Sequence, residues 1–186
     1  VVEGVLMKYK YGNTLCVSTQ AGCRMGCAFC ASTLNGLERS LSAGEIYGEV
    51  VAVNRLKEGG LGEGRAVTNV VLMGSGEPLD NYDNVIGFLR LLNSPDGLNV
   101  SYRNISLSTC GLVPQIIRLA DEGIAVNLTV SLHSPFQHKR IKLMPVSKKY
   151  PLLSVVEAAK YYFEKTGRRV YFESVSYTHL TLPTNS

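Results

Sequence analysis

An α/β fold built on a parallel sheet is predicted by two features of the sequence. Short apolar runs alternate with stretches of helical period, and a polar or glycine-rich stretch follows each run at once. The first strand is expected over residues 14–17. Ser42-Ala-Gly-Glu45 then reads as a capping box, its hydroxyl and carboxylate placed to satisfy free N–H groups. Ile46, Val50 and Val53 follow on one helical face. A second strand over 69–73 precedes a helix marked by Val85, Leu89 and Leu92. A third, 104–107, leads to a helix carrying Val113, Ile116, Ile117 and Ala120, for which Gly123 is a plausible stop. After a fourth strand over 125–130, Leu152, Val155, Val156, Ala159 and Phe163 mark a helix that Gly167 could end. The fifth strand is expected over 169–172. Repeated strand–helix–strand units place the strands parallel. In such sheets ligands gather at strand ends, whether the sheet is open or closed into a barrel. Ser18-Thr19-Gln20, Gly74-Ser75-Gly76-Glu77-Pro78, Ser108-Thr109-Cys110-Gly111 and Ser131-Leu132-His133-Ser134 stand at equivalent ends, so one shared site is expected.

The chain has 186 residues, 45% of them apolar and 18% charged, a globular composition. No run approaches the roughly 20 apolar residues that span a bilayer, and the start does not resemble a signal peptide. Secreted and membrane-embedded readings are disfavoured, and a cytoplasmic protein is expected. Because the chain begins at Val1 rather than Met, it is expected to be a piece of a longer protein. The net charge of +4 is unevenly spread. Residues 1–133 hold 10 basic and 12 acidic side chains, and residues 134–186 hold 9 and 3. The basic third contains Lys139, Arg140, Lys142, Lys148, Lys149, Lys160, Lys165, Arg168 and Arg169, and invites either solvent or a polyanion such as RNA.

Five cysteines stand at 16, 23, 27, 30 and 110, an odd count that argues against a secreted disulfide framework. Three form Cys23-Arg-Met-Gly-Cys27-Ala-Phe-Cys30. Structural zinc normally takes four protein ligands, and no local Cys or His completes such a set; Cys16 falls inside an expected strand. A four-iron cluster held by three thiolates instead leaves one iron open to a substrate or cofactor. Cys110, at a strand end, is read as packing.

This cysteine spacing after the first strand of a βα series resembles the radical S-adenosylmethionine (SAM) enzymes, and Phe29 fits their pattern. The resemblance sharpens over further blocks. Leu15-Cys16-Val17-Ser18-Thr19-Gln20-Ala21-Gly22-Cys23 and Cys27-Ala28-Phe29-Cys30-Ala31-Ser32 come first. Val71-Leu72-Met73-Gly74-Ser75-Gly76-Glu77-Pro78-Leu79-Asp80-Asn81, Leu107-Ser108-Thr109 and Ser131-Leu132-His133 follow in order. Together they resemble the methyltransferases that act on adenine carbon 2 in 23S rRNA and tRNA.

That resemblance implies a partial (β/α) TIM-like barrel of the radical SAM type over residues 1–173. The barrel should be incomplete on its C-terminal side, since a full (β/α) barrel takes about 250 residues. It implies a [4Fe–4S] cluster on Cys23, Cys27 and Cys30, with SAM chelated at the open iron and split into methionine and a 5′-deoxyadenosyl radical. Gly76 and Glu77 would bind the SAM amino group, and Ser108, Ser131, Leu132 and His133 would contact SAM. Glu3 would be a proton acceptor. Cys16 would form a transient disulfide with an acceptor cysteine that carries the methyl group, a residue with no match here. The implied partners are 23S rRNA, tRNA and an electron donor such as flavodoxin. Residues 174–186 leave the family pattern and are expected to be a non-native or mistranslated tail. This polypeptide is then expected to assemble a cluster without methylating RNA. Two rival readings are the sister activity at adenine carbon 8 and an RNA-binding module whose cysteines hold zinc.

Overall fold

The apolar runs become neighbouring strands in the computed structural model, which describes residues 2–174. Of the expected tail at 174–186, residues 175–186 lie outside the described residues. The order is β1 (Val5–Tyr9), β2 (Gly12–Cys16), β3 (Gln20–Gly22), β4 (Leu37–Ser40), α1 (Ala43–Leu56), β5 (Asn69–Leu72) and α2 (Tyr82–Asn93). Then come β6 (Ile105–Thr109), α3 (Val113–Asp121), β7 (Asn127–Ser131), α4 (Gln137–Leu143), α5 (Leu152–Thr166) and β8 (Val170–Glu173).

The main sheet runs β1-β2-β5-β6-β7-β8. Only the β1–β2 pairing in it is antiparallel. From β2 onward each strand is laid beside its predecessor in one direction. Right-handed crossovers then put the connecting helices on the same face of the sheet, the arrangement of a partial barrel rather than a doubly wound sheet. The side chains obey this geometry. Val70 and Leu72, Ile105 and Leu107, and Leu128 and Val130 are buried with Ile46, Val50, Val85, Leu89, Ile116, Leu119 and Val155 in one core. Asn69, Ser106, Ser108, Asn127 and Ser131 alternate with them and are less buried. Period-2 alternation sends successive side chains to opposite faces, so one face is oily and the other polar.

The capping box forms as expected: Glu45 N–H donates to Ser42 Oγ at 3.3 Å, and Ser42 N–H to Glu45 Oε2 at 2.9 Å. Gly167 ends α5 in the left-handed region, at φ +65°. Four elements, β1, β3, β4 and α4, have no counterpart among those expected from the sequence. β1 is a short antiparallel edge strand, and the β3–β4 hairpin has too few residues to show a period. α4 (QHKRIKL) lacks an apolar stripe because its buried residue is Arg140. No helix among the described residues is long and apolar enough to cross a membrane.

Candidate active site

The loops after β3, β5, β6 and β7, with the end of β8, open onto one cleft of about 250 Å3. Cys23, Cys27, Cys30, Gly76, Glu77, Ser108, Ser131 and His133 all line it. Of the other residues singled out in the sequence, Leu132, Cys16 and Glu3 stand outside that lining.

The cysteine loop is fixed from both sides. Cys23 N–H donates to the Gly36 carbonyl at 3.0 Å, joining it to the β3–β4 hairpin. Ala28 N–H donates to the Leu143 carbonyl at 2.9 Å, joining it to α4. Thr33 Oγ1 donates to the Cys30 carbonyl at 3.0 Å and closes the turn after the last cysteine. Phe29 meets His133 edge-on, ring centroids 4.4 Å apart, which couples the loop to the end of β7. Burial, with Cys23 and Cys30 adjacent, pushes the Cys27 thiol up to about 12, and burial raises Cys23 as well. The Cys23 and Cys27 thiols, shielded in the cleft, resist ionising unless a cationic centre takes them as ligands.

Gly76 and Glu77 form the opposite wall. Thr19 and Gln20 N–H groups donate to the Ser75 carbonyl at 2.9 and 3.1 Å, and Glu77 N–H donates to Gln20 Oε1 at 2.9 Å. Gly76 has φ +104°, and a Cβ there would lie 2.6 Å from Gln20 Cβ, so only glycine fits. The Glu77 side chain is 4% exposed. Its Oε1 accepts Leu79 N–H at 3.1 Å and its Oε2 accepts Cys110 N–H at 2.8 Å. Burial raises its pKa and these hydrogen bonds oppose the rise. No basic side chain among the described residues pairs with it. The Thr109 side chain and the Cys110 thiol hydrogen-bond it as well, so the carboxylate is held by donors alone and its charge is left for a ligand cation to balance.

On the third side, Ser131 and Glu173 stand opposite each other in the β7–β8 register. Ser108 Oγ donates to Glu173 Oε2 at 3.4 Å. The Glu173 carbonyl accepts the N–H groups of Leu132 at 2.9 Å and His133 at 3.0 Å. Burial lowers the pKa of His133, and the charge of Arg140 lowers it further.

Cys16, at the end of β2, is a half-buried free thiol. Burial pushes it up, the Met73 backbone pulls it down, and Glu49 adds to the rise. Met73 lines the cleft, so Cys16 stands behind its rim. Ser18 Oγ donates to the Glu3 carbonyl at 2.9 Å, which anchors the segment carrying Glu3. The Glu3 side chain borders a separate depression with Gln20, Glu38 and Ser75. All five cysteines are free thiols.

Cys110 is buried, as a packing residue should be, but it also lines the cleft and hydrogen-bonds Glu77 through its thiol. Glu173 and Met144 belong to the lining without any signal in the sequence beyond their position near strand or helix ends. Arg140 is fully buried and so does not belong to the basic surface in which its sequence neighbourhood places it.

The profile described as the radical SAM superfamily matches residues 17–185. The chain belongs to the radical SAM superfamily. This radical SAM chain is 54% identical over 173 residues to a probable dual-specificity RNA methyltransferase RlmN of Lachnoclostridium phytofermentans. The match covers 93% of this chain and 47% of that protein. It is 56% identical to the protein of the same description in Clostridium perfringens strain SM101, covering 93% and 48%. The crystal structure of a radical SAM methyltransferase from Sphaerobacter thermophilus superposes with a TM-score of 0.86 at 45% identity, covering 93% of this chain and 50% of that one. The chain thus spans about half the length of the curated relatives it matches.

Membership brings a [4Fe–4S] cluster and SAM, and the residues present suit both. Three clustered thiols are the soft donors that iron–sulfur centres take. Among the described residues no three His, Cys, Asp or Glu side chains converge as a ready site for one ion. The buried Glu77 carboxylate has no basic side chain paired with it among the described residues, and an amino group would provide that cation; Gly76 lets the backbone beside it pack directly on Gln20.

Proposed function

We propose that this chain is the core, over residues 1–173, of a dual-specificity RNA methyltransferase acting on adenine carbon 2 in 23S rRNA and tRNA. One observation carries the reading. A single cleft gathers Cys23, Cys27 and Cys30 with Gly76, Glu77, Ser108, Ser131 and His133, in a chain similar to proteins described as RNA methyltransferases. Cys23, Cys27 and Cys30 hold the cluster. When bound, cluster and SAM supply the one-electron chemistry needed at an electron-poor ring carbon.

The chain's own residues position and shield. The buried charge of Glu77, which no basic side chain among the described residues balances, and the Gly76 backbone beside it receive the SAM ammonium. Ser108 and the Ser131–His133 strand end orient the rest of SAM, with Leu132 contributing backbone, while Phe29 and His133 close the cysteine side against water. Cys16 is the thiol that resolves a methyl-cysteine adduct by a transient disulfide, and Glu3 accepts a proton. None of the five cysteines here takes the acceptor role, so the 186-residue chain alone methylates no RNA. The exposed Lys139, Lys142, Lys148 and Lys149 suit a phosphate backbone. An electron donor such as flavodoxin and a cytoplasmic location complete the reading.

Anaerobic purification with metal and sulfide analysis is the first test. About four irons and four sulfides per chain are expected for a cubane. About one zinc without iron would replace the reading with a zinc-holding RNA-binding module. Mass spectrometry of adenosine from RNA treated with the full-length parent should then show 2-methyladenosine; 8-methyladenosine would move the assignment to the sister activity.

A further inference from the structure

Arg140 is 0% exposed, the largest of the fully buried side chains. Its Nη1 donates to Ser147 Oγ at 2.7 Å and to the Tyr150 carbonyl at 3.4 Å. Its Nη2 donates to the Cys110 carbonyl at 2.9 Å and the Ser131 carbonyl at 3.4 Å. The guanidinium therefore ties two strand ends of the cleft to the segment after α4. Every one of these acceptors is neutral. Nε is buried without a hydrogen-bond partner, and among the described residues no carboxylate forms an ion pair with Arg140. Arginine stays charged even when desolvated, so a cation is enclosed here with no anion supplied by a carboxylate.

The titratable groups close enough to feel its charge are Cys27, Cys110 and His133. Backbone geometry leads to the same place. The Arg140 carbonyl accepts Met144 N–H at 2.8 Å, and the Leu143 carbonyl accepts Ala28 N–H, next to Cys27. Gly26, also next to Cys27, has room for a Cβ 3.6 Å from Pro145. α4 and the cysteine loop are thus one packed unit.

We infer that Arg140 is the fixed counter-cation of the cluster site, a positioning residue held on the Cys110 and Ser131 carbonyls at the cleft, whose charge favours the more reduced cluster. The inference rests on Cys23, Cys27 and Cys30 holding an iron–sulfur cluster. One-electron reduction adds one negative charge to an assembly already rich in thiolate. A cation held close in a low-dielectric setting stabilises the reduced form more than the oxidised one, and so raises the reduction midpoint.

The test is an EPR-monitored redox titration of the anaerobically reconstituted chain, with dithionite as electron source, after iron and sulfide have been counted. Arg140→Gln keeps amide donors for the carbonyls and removes the charge; its midpoint should move to more negative potential. Arg140→Lys keeps the charge and should stay near the native midpoint. Ser147→Asp leaves Arg140 in place but pairs it with a carboxylate, and should shift the midpoint in the same direction as Arg140→Gln. It serves as the readout if R140Q does not accumulate as folded protein. An unchanged midpoint in cluster-loaded R140Q or S147D overturns the inference. An equal shift in R140K overturns it too, because packing rather than charge would then be responsible. A native chain that binds no iron fails at the counting step and overturns the cluster reading instead.

Discussion

On the Gly76–Glu77 side of the cleft, hydrogen bonds of 2.8–3.1 Å arrive from Thr19, Gln20, Leu79 and Cys110. Across from it, the side-chain hydrogen bond of Ser108 among the described residues is a 3.4 Å contact to Glu173. The first wall is built before any ligand arrives, with its glycine in a conformation other residues resist. The second is held at the last strand of the sheet by backbone bonds from Leu132 and His133, while its side chains are loosely tied. A wall of the first kind holds a cation in place at little reorganisation cost, while one of the second kind can adjust to what binds.

Replacing Glu77 should be the most damaging way to probe this contrast. Glu77→Ala strips the acceptor from the buried N–H groups of Leu79 and Cys110 and leaves both unsatisfied. At roughly 1–3 kcal/mol per unmet group, partly offset by relief of a desolvated carboxylate, a loss of about 3 kcal/mol is expected. Urea unfolding at pH 7 measures it, and a loss below about 1 kcal/mol would mean that the wall is not built around this side chain. Gly76→Ala comes next. The new methyl meets Gln20 Cβ at 2.6 Å from a backbone at φ +104°, so about 2 kcal/mol should be lost by the same measurement.

Much of this wall was legible in the sequence, because turn glycines, capping boxes and cysteine spacings are local patterns. Ser42-Ala-Gly-Glu45 formed as written, and the five apolar runs became the five adjacent strands from β2 to β8. What escaped depends on contacts distant along the chain. Arg140 sits in a basic run and looks solvated, yet it is wholly enclosed by strand ends reached through β6 and β7. Glu173 looked like a boundary residue until β8 paired with β7 and turned it into the cleft. Leu132 lies between Ser131 and His133 in a matching triplet, but the strand ends at Ser131 and His133 turns at φ +57°, and Leu132 is left out of the lining. The hairpin of β3 and β4 has too few residues for a period to show.

Behind the rigid wall, Ser18 joins three parts: its N–H donates to Glu49 Oε2 at 3.2 Å, its Oγ to the Glu3 carbonyl, and it accepts Ser75 N–H at 2.9 Å. Burial pushes Glu49 up from 4.5 to about 7, and its Oε1 is buried with no hydrogen-bond partner. The folded chain therefore binds more protons than the unfolded chain between pH 4.5 and about 7. Stability contributed at this site is full below that window and falls as pH rises through it. Glu49→Gln removes the titration. Relative to the native chain it should gain about 1 kcal/mol at pH 8, after discounting for the side chain's partial exposure, and the gain should vanish below pH 4.5. Melting temperatures of both proteins across this range check it; a pH-independent difference would show that folding does not raise the Glu49 pKa.

The smallest effect belongs to the adaptable wall. Ser108→Ala removes a hydrogen bond at the outer limit of useful length, to a carboxylate that burial already raises and that the serine slightly lowers. Such a bond is worth less than the roughly 1 kcal/mol of a well-made one, so under about 0.5 kcal/mol of stability should be lost. The backbone bonds from Leu132 and His133 to the Glu173 carbonyl remain, so β8 keeps its place without the serine hydroxyl. Measured beside Glu77→Ala in the same urea series, this small loss is what separates the walls. Should Ser108→Ala cost as much as Gly76→Ala, the second wall would be as tightly specified as the first, and Glu173 would have to be held by the serine rather than by its strand.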